Sequence, residues 1–280
     1  MPVATSVTDV SLLFKNLTVN ELEIDSSVKL ANLFQYLNSN NLHINPAKSS
    51  CIHFSTNNRE FSPVIYLNDL MLPLETEVKY LGLIFDNCLS WTSHVNAICS
   101  KISSQLFLLS RFAKYRNFFL MRLIYTSLIE TRLRYGIILW GATSQNNFIR
   151  VFRLQKRAVR IMAGVNRRAH CQNLFKDMDI LTLPSIYILE VLVYYRFKLD
   201  LIITGENIHN YNTRQRSAHR QSFHRLELAA KLPQNIGPKL FNNLPLNIKT
   251  ENSQAKFKIL LRNYLVSRAC YSVSDFLNND

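Results

Sequence analysis

The chain has 280 residues, of which 48% are hydrophobic and 19% charged, a composition that excludes a disordered chain and leaves room for one large domain or two smaller ones. Its net charge of +14 is concentrated in residues 101–225, which hold 21 of the 33 Lys and Arg but 6 of the 19 Asp and Glu. This concentration favours a polyanionic partner, most often nucleic acid, and a basic surface without a partner is the alternative.

The first 86 residues combine short strand patterns with one helix. Ser11–Phe14 is a candidate strand, and a helix is predicted over about residues 20–40. Two short strands in LHINPAKSSCIHF, a hairpin around Asn68–Asp69 and a strand over Val78–Phe85 follow. This part therefore predicts one helix packed on a small, mainly antiparallel sheet.

After Ser90 the hydrophobic period changes from two residues to 3.6, which predicts helices. The first has Ser90 or Ser93 as its N-cap and keeps an apolar face to Leu109, and the others cover about 117–140, 146–162, 184–204 and 253–267. The second of them should bury Leu120, Leu123, Ile124, Leu128, Tyr135 and Ile138. The polar segment 205–235 is predicted to be a loop or linker. The fold class is therefore α+β, a small sheet with one packed helix followed by an all-helical part.

The predicted helix over 146–162 separates cations from apolar residues on opposite arcs of its helical wheel. The cations are Arg150, Arg153, Lys156, Arg157 and Arg160, and Arg167 and Arg168 follow them. No acidic residue occurs between Glu130 and Asp177, whereas a solvated face usually mixes both signs. We therefore favour contact with a phosphate backbone, which would position nucleic acid without reading its sequence. A solvated face is the alternative.

Several stretches of the chain occur in the order of a known family. They are LHINPAKS, KYLGLIFDNCLSWTSHV, YTSLIETRLRYGIILWG, LQKRAVRIMAG, YNTR and GPKLFNNLP. The ordered series resembles the reverse transcriptase of non-LTR (LINE-type, jockey-like) retrotransposons. The resemblance implies the C-terminal part of a right-hand polymerase: a truncated palm with the primer-grip region in residues 1–88, a helical thumb in 89–205, and a linker and tail in 206–280. The fingers and the first half of the palm would be absent.

The resemblance also implies roles for single residues. The primer-grip strand of the family matches Tyr80, Leu81 and Gly82. A glycine in that strand lets the primer backbone come close. It is an equally good interpretation that Gly82 only makes room for a neighbouring strand or helix. Trp91 matches a tryptophan at the start of the thumb and is expected to pack. Lys48 matches a lysine that can protonate the leaving pyrophosphate, and an ordinary turn lysine is the alternative.

The expected catalytic centre departs from the family pattern. The family holds two Mg²⁺ ions with aspartates from two strands. Its Tyr-Ala-Asp-Asp motif falls on residues 6–9, where Thr8 replaces the first aspartate, a direct metal ligand, and Asp9 alone remains. One carboxylate cannot hold two magnesium ions, so we expect no metal, no small-molecule cofactor and no polymerase activity of this chain alone.

Other classes of site find little support in the sequence. The seven histidines pair with no Cys or carboxylate at metal-ligand spacing. The five cysteines lack CxxC pairing and the chain opens without a secretory signal, so an intracellular protein, cytoplasmic or nuclear, is expected. The longest apolar run, 180–203, contains Glu190, Arg196 and Lys198, so no membrane partner is expected.

The sequence thus predicts part of an RNA-directed DNA polymerase that is inactive alone and binds an RNA or DNA template–primer duplex through its thumb. One alternative is a domesticated or accidental transposon-derived protein with a structural or protein-binding role and no nucleic-acid affinity. Another is a separately encoded half that joins an upstream palm, which the degraded aspartate pair disfavours.

Overall fold

A computed structural model of the chain describes residues 10–16, 18–42, 44–45, 48–54, 63–67, 70–199, 219–220, 224 and 227–278. The chain divides into two compact units, residues 1–94 and 95–280. The first contains all the described strands, and the described part of the second is built from helices, which confirms the α+β class. Asp9, the turn at Asn68–Asp69 and the YNTR stretch lie outside the described residues.

The first unit has one helix, α1 (Val19–Ser39), as predicted. Thr18 is its N-cap, and the Thr18 hydroxyl accepts the N–H of Glu21 at 3.4 Å. The described strands form three two-stranded ladders. In the first, β1 (Cys51–Ile52) runs parallel to β4 (Leu74–Glu75). The other two are antiparallel: β2 (Tyr66–Leu67) pairs with β3 (Leu70–Met71), and β5 (Glu77–Tyr80) pairs with β6 (Leu83–Asp86). The buried core of this unit combines α1 with the strand region through Leu30, Ile65, Leu67 and Leu72.

Residues 11–14 do not form the predicted strand. Leu12 and Leu13 are exposed, whereas Phe14 packs against the core cluster. A strand requires a partner for its backbone N–H and C=O groups, and no described strand runs beside this segment. The apolar pattern of SLLF therefore does not translate into a strand.

The predicted strand over residues 78–85 is a hairpin. Tyr80 pairs with Leu83, and the two residues between them have positive φ, +46° at Leu81 and +81° at Gly82. Positive φ at both central positions is what a two-residue hairpin turn of type I′ requires, and glycine adopts it without steric cost. A run of apolar residues looks the same for one strand as for two short paired strands, so the sequence pattern did not show the turn.

Seven α-helices, a 3₁₀ turn and one π-helical segment, Tyr125–Glu130, follow the strands over residues 92–198. The helices are α2 (Thr92–Phe112), α3 (Phe118–Ile124), α4 (Thr131–Arg134), α5 (Ile137–Trp140), α6 (Gln145–Ala163), α7 (Gln172–Asp177) and α8 (Leu183–Lys198). The segment Leu183–Leu189 of α8 is buried throughout, because α4, α5, α6 and two helices of the tail, Pro233–Asn242 and Gln254–Arg268, pack on this helix. None of the described helices is long and apolar enough to span a membrane.

The predicted continuous helix over 117–140 is interrupted. Its π-helical segment is followed by a break at Tyr135 and Gly136, where Gly136 has a φ of +63°. The buried row is Met121, Tyr125, Ile129, Leu133 and Ile137, whereas the predicted core residues Leu123 and Tyr135 are exposed. A row spaced by four residues drifts around an α-helix, and the wider π turns offset this drift. The prediction assumed regular α-helix throughout and so selected the wrong face.

The described tail is helical and packs on α8. Its helices are α9 (Glu227–Ala230), α10 (Pro233–Asn242), α11 (Leu246–Lys249), α12 (Gln254–Arg268) and α13 (Val273–Leu277). The helix predicted over 253–267 is therefore confirmed. The end of the predicted linker is wrong, since α9 and the start of α10 lie before residue 235. Pro233 at the first position of α10 favours helix initiation, a signal that the polar composition of 205–235 obscured.

Candidate nucleic-acid interface

Helix α6 has well-defined ends. The Ser144 hydroxyl accepts the N–H of Asn147 at its N-terminus, and Gly164 ends the helix with a φ of +66°. Val151, Phe152, Ala158 and Val159 are buried on one face. Because this face is fixed in the core, the opposite face of α6 is held toward solvent.

The orientation of α6 is also fixed by a buried amide that the sequence interpretation missed. Gln155 is fully buried; its Nε2 donates to the Tyr125 hydroxyl and to the Leu181 carbonyl, both at 2.9 Å, and its Oε1 accepts the N–H of Leu183 at 2.7 Å. Every polar group of this amide thus has a partner, which is the condition for burying it at low cost. Gln155 lies four residues from both Val151 and Val159, so its place on the apolar face was a usable signal.

The solvent face of α6 presents a row of guanidinium groups. Arg150, Arg153 and Arg157 are exposed. Arg150 donates to the side-chain oxygens of Asn96 at 2.9 Å and Asn147 at 3.2 Å. Among the described residues, no carboxylate forms a salt bridge with any cation of α6. An uncompensated row of this kind is suited to an anionic ligand such as a phosphate backbone.

Lys156 and Arg160 differ from the other α6 cations because they are half-buried. The ammonium group of Lys156 lies 4.7 Å from the ring centre of Phe152 and 5.3 Å from that of Tyr271. Burial, followed by the positive charge of Arg160, lowers the pKa of Lys156. Arg160 donates through Nε to the carbonyl of Ala169 at 2.8 Å. These two side chains therefore hold neighbouring parts of the fold, and the exposed arginines remain for a ligand.

Arg167 and Arg168 lie in the turn beyond Gly164 and are exposed. The side-chain oxygen of Asn166 accepts the N–H of Arg168 at 3.1 Å, which shapes this turn. Both guanidinium groups thus extend the positive charge past the C-terminal end of α6.

The predicted primer-grip residues lie at the β5–β6 hairpin. Leu81 is exposed at its tip, and the Tyr80 hydroxyl donates to Ser11 Oγ at 3.2 Å. Trp91 is buried, with its ring centre 5.1 Å from that of Phe85. Trp91 therefore has the packing position expected of it, and the positive φ of Gly82 gives this glycine a role in the turn itself.

Of the two candidate catalytic residues, Asp9 lies outside the described residues, so the structure describes Lys48 alone. Lys48 is exposed in a turn, and its N–H donates to the Asn45 carbonyl at 3.1 Å. No three His, Cys, Asp or Glu side chains among the described residues are placed to hold a metal ion. The described residues thus supply no such ligand set for the two magnesium ions that the resemblance implies.

The GPKLFNNLP stretch contacts other parts of the same unit. A Cβ added to Gly237 would lie 2.5 Å from the Tyr195 ring. Phe241 stacks on His219 with ring centres 4.3 Å apart and planes at 5°. The side chain of Asn242 pairs with the backbone N–H and C=O of His219 at 3.0 and 2.8 Å. These contacts give the stretch a role in attaching the tail.

Sequence comparison finds two curated relatives from Drosophila melanogaster. The chain is 26% identical over 146 residues to "Probable RNA-directed DNA polymerase from transposon X-element" and 26% identical over 187 residues to "Probable RNA-directed DNA polymerase from transposon BS". These relatives are non-LTR retrotransposon polymerases. The resemblance inferred from the ordered motifs is therefore confirmed.

The similarity to these retrotransposon polymerases is partial. It covers 51% and 65% of the chain but 16% and 20% of the relatives' own lengths. No family model matches the chain, and no solved structure matches it.

Proposed function

We propose that this chain is part of a retrotransposon reverse transcriptase that binds the sugar–phosphate backbone of a template–primer duplex through the exposed arginines of α6. In this proposal residues 1–88 derive from the palm with its primer-grip region, 89–205 from the thumb, and 206–280 from the linker and tail. The observation that carries the proposal is the row of Arg150, Arg153 and Arg157, exposed and without a salt bridge to any described carboxylate. The names of the two relatives support nucleic acid as the partner.

The test measures binding of a labelled RNA–DNA duplex over a range of salt concentrations. The variant Arg153→Glu/Arg157→Glu changes two exposed side chains and leaves the half-buried Lys156 and Arg160 in place. A plot of log affinity against log salt concentration has a negative slope, which becomes shallower by about 0.9 for each phosphate that the variant no longer neutralises. The variant should therefore have a slope shallower by about 2 and an affinity lower by at least about tenfold.

The matched control is Lys256→Glu/Lys258→Glu, which makes the same charge change at two exposed positions of α12. It should keep most of the duplex affinity. Equal losses in the two variants would show that net charge alone attracts the duplex. Unchanged binding in the α6 variant would remove the proposed interface and favour a structural or protein-binding role.

We further propose that the chain does not polymerise nucleotides by itself. The sequence carries one carboxylate, Asp9, where the resemblance places two, and Lys48 has no described acidic partner. Incubation of the purified chain with a primed template, Mg²⁺ and labelled nucleotides should leave the primer unextended. Extension of the primer would overturn this part of the proposal.

A further inference from the structure

A second exposed surface of the helical unit combines aromatic rings with cations. It covers residues 107–119, from the end of α2 through the 3₁₀ turn Ala113–Tyr115 to the start of α3. Its exposed rings are Phe107, Tyr115, Phe118 and Phe119, and its exposed cations are Arg111, Lys114 and Arg116. We call this the aromatic–basic segment.

The aromatic rings are unusually open to solvent. Phe119 is 77% exposed, Tyr115 73% and Phe107 62%. Single exposed apolar residues are ordinary, but several within 13 residues of chain mark a surface that contacts something else. A ligand for this surface must therefore offer flat or apolar faces.

The charge of the aromatic–basic segment adds a second requirement. No acidic residue occurs between Asp86 and Glu130, and the described carboxylates form no salt bridge with Arg111, Lys114 or Arg116. The ligand should therefore be anionic as well. An unpaired nucleic-acid strand meets both requirements, because its phosphates are charged and its bases have accessible faces. In a duplex those faces are stacked inside.

The arrangement favours such a strand over an anionic membrane. A helix that lies on a membrane separates its cations from its apolar residues on opposite faces. Here the Arg111 guanidinium lies over the Phe107 ring, 4.9 Å from its centre, so cation and ring share one face. This shared face allows an aromatic ring to stack on a base while a neighbouring cation contacts the adjoining phosphate.

We propose that the aromatic–basic segment is a binding site for single-stranded nucleic acid, formed by residues other than those of the α6 face. The rings of Phe107, Tyr115, Phe118 and Phe119 stack on unpaired bases, and Arg111, Lys114 and Arg116 contact the phosphates between them. The site accepts many sequences, because every base has a face on which a ring can stack.

The test compares three labelled probes by fluorescence anisotropy with the full chain: an oligothymidylate, an abasic strand of the same length, and a blunt duplex. The variant Tyr115→Ala/Phe118→Ala/Phe119→Ala should weaken oligothymidylate binding by at least about tenfold, since loss of stacking removes much of the affinity for each base. Its affinity for the abasic strand and the duplex should stay within about twofold of the wild-type value.

Matched variants separate this site from general effects. Tyr36→Ala removes a ring that is 64% exposed on α1 and should leave all three affinities unchanged. The single variant Phe119→Ala, followed by circular dichroism, covers the case in which the triple variant folds poorly. The α6 variant Arg153→Glu/Arg157→Glu should lose duplex affinity and keep the preference for oligothymidylate over the abasic strand. Failure of the α6 proposal would thus leave this one intact.

Three results would overturn the proposal. One is unchanged oligothymidylate affinity in both Phe119→Ala and the triple variant. Another is an equal loss on the abasic strand, which would show that the rings do not stack on bases. The third concerns a separate measurement of binding to phosphatidylserine vesicles. If the triple variant lost vesicle binding and kept the wild-type affinity for oligothymidylate, the segment would be assigned to a membrane surface.

Discussion

Asp86 shows how one buried carboxylate shapes the connection between β6 and α2. Its Oδ1 accepts the N–H groups of Cys88 and Ser90 at 3.2 and 2.8 Å, and its Oδ2 accepts the N–H of Trp91 at 2.8 Å. These bonds fold the chain between β6 and α2, where Trp91 has a φ of +63°. Hydrogen bonds from three backbone N–H groups to one carboxylate thus account for the path of the chain from β6 to α2.

Replacement of Asp86 by Ala should destabilise the protein by about 2 to 3 kcal/mol, because it leaves several backbone N–H groups without a partner. Urea unfolding followed by tryptophan fluorescence measures this change. Asp25→Ala is the control, since Asp25 forms an exposed pair with Lys29 at 2.7 Å, and it should cost no more than about 1 kcal/mol. Equal effects would show that Asp86 has no special role.

His219 predicts a dependence of stability on pH. Burial, followed by the positive charges of Arg196 and Lys249, lowers the pKa of His219 from 6.5 to about 4. The unfolded chain therefore binds a proton at a higher pH than the folded chain, so this group's stabilisation is complete above pH 6.5 and is lost as the pH falls toward 4.

The prediction is checked by urea unfolding of the wild type and of His219→Gln at neutral and at mildly acidic pH. The wild type should lose more stability between these conditions than the variant does. The Tyr195 hydroxyl, 2.8 Å from the His219 ring, can still bond to the glutamine amide, so the variant keeps a polar partner. Parallel losses in the two proteins would assign the pH effect to other groups.

At the scale of elements, α6 depends on a buried polar contact as much as on its apolar face. Gln155→Leu should destabilise the helical unit by about 3 kcal/mol or more, because the N–H of Leu183, the carbonyl of Leu181 and the Tyr125 hydroxyl lose a buried partner together. Chemical unfolding followed by circular dichroism tests this. Gln145→Leu at the exposed start of the same helix is the control and should change stability by less than about 0.5 kcal/mol.

The same helix shows which elements the sequence could predict. Its span and cationic arc follow from local spacing, and Gly164 marks its end, so α6 was predictable within a residue or two. The contact between the Lys156 ammonium group and the Tyr271 ring could not be predicted, because those residues lie 115 positions apart in the sequence. The turn at Leu81 was missed because hydrophobic patterns carry no information about a positive φ. Local periodicity thus predicts elements, and contacts between distant residues decide which charges stay available.

The tail and the helices that precede it form one compact unit, residues 95–280. Asp179 links its parts: Arg262 of α12 binds both Asp179 carboxylate oxygens at 2.8 Å, and Arg122 of α3 bonds to the Met178 carbonyl and to Asp179. Hydrogen bonds from Arg262 are the main cause of the lowered pKa of Asp179. The proposed thumb and tail are therefore joined by packing and by charge.

This arrangement predicts that damage in the tail lowers the stability of the whole unit. In Gly237→Ala the new methyl group would meet the Tyr195 ring of α8, so the variant should lose about 1 to 3 kcal/mol in a single cooperative transition. Lys239→Ala, exposed on the same helix, is the control and should be nearly neutral. Separate unfolding of the tail at unchanged stability of α2–α8 would contradict the prediction, and circular dichroism with limited proteolysis distinguishes the two cases.

The π-helical segment Tyr125–Glu130 has a consequence for how this region tolerates change. Its wider turns change the direction in which the following side chains point, so that Met121 before it and Leu133 after it both face the core. Removing one residue there would rotate one side of the helix against the other by about 100° and turn one of these faces outward. An insertion or deletion between Asn117 and Gly136 should therefore be tolerated less well than a substitution of an exposed residue in the same stretch.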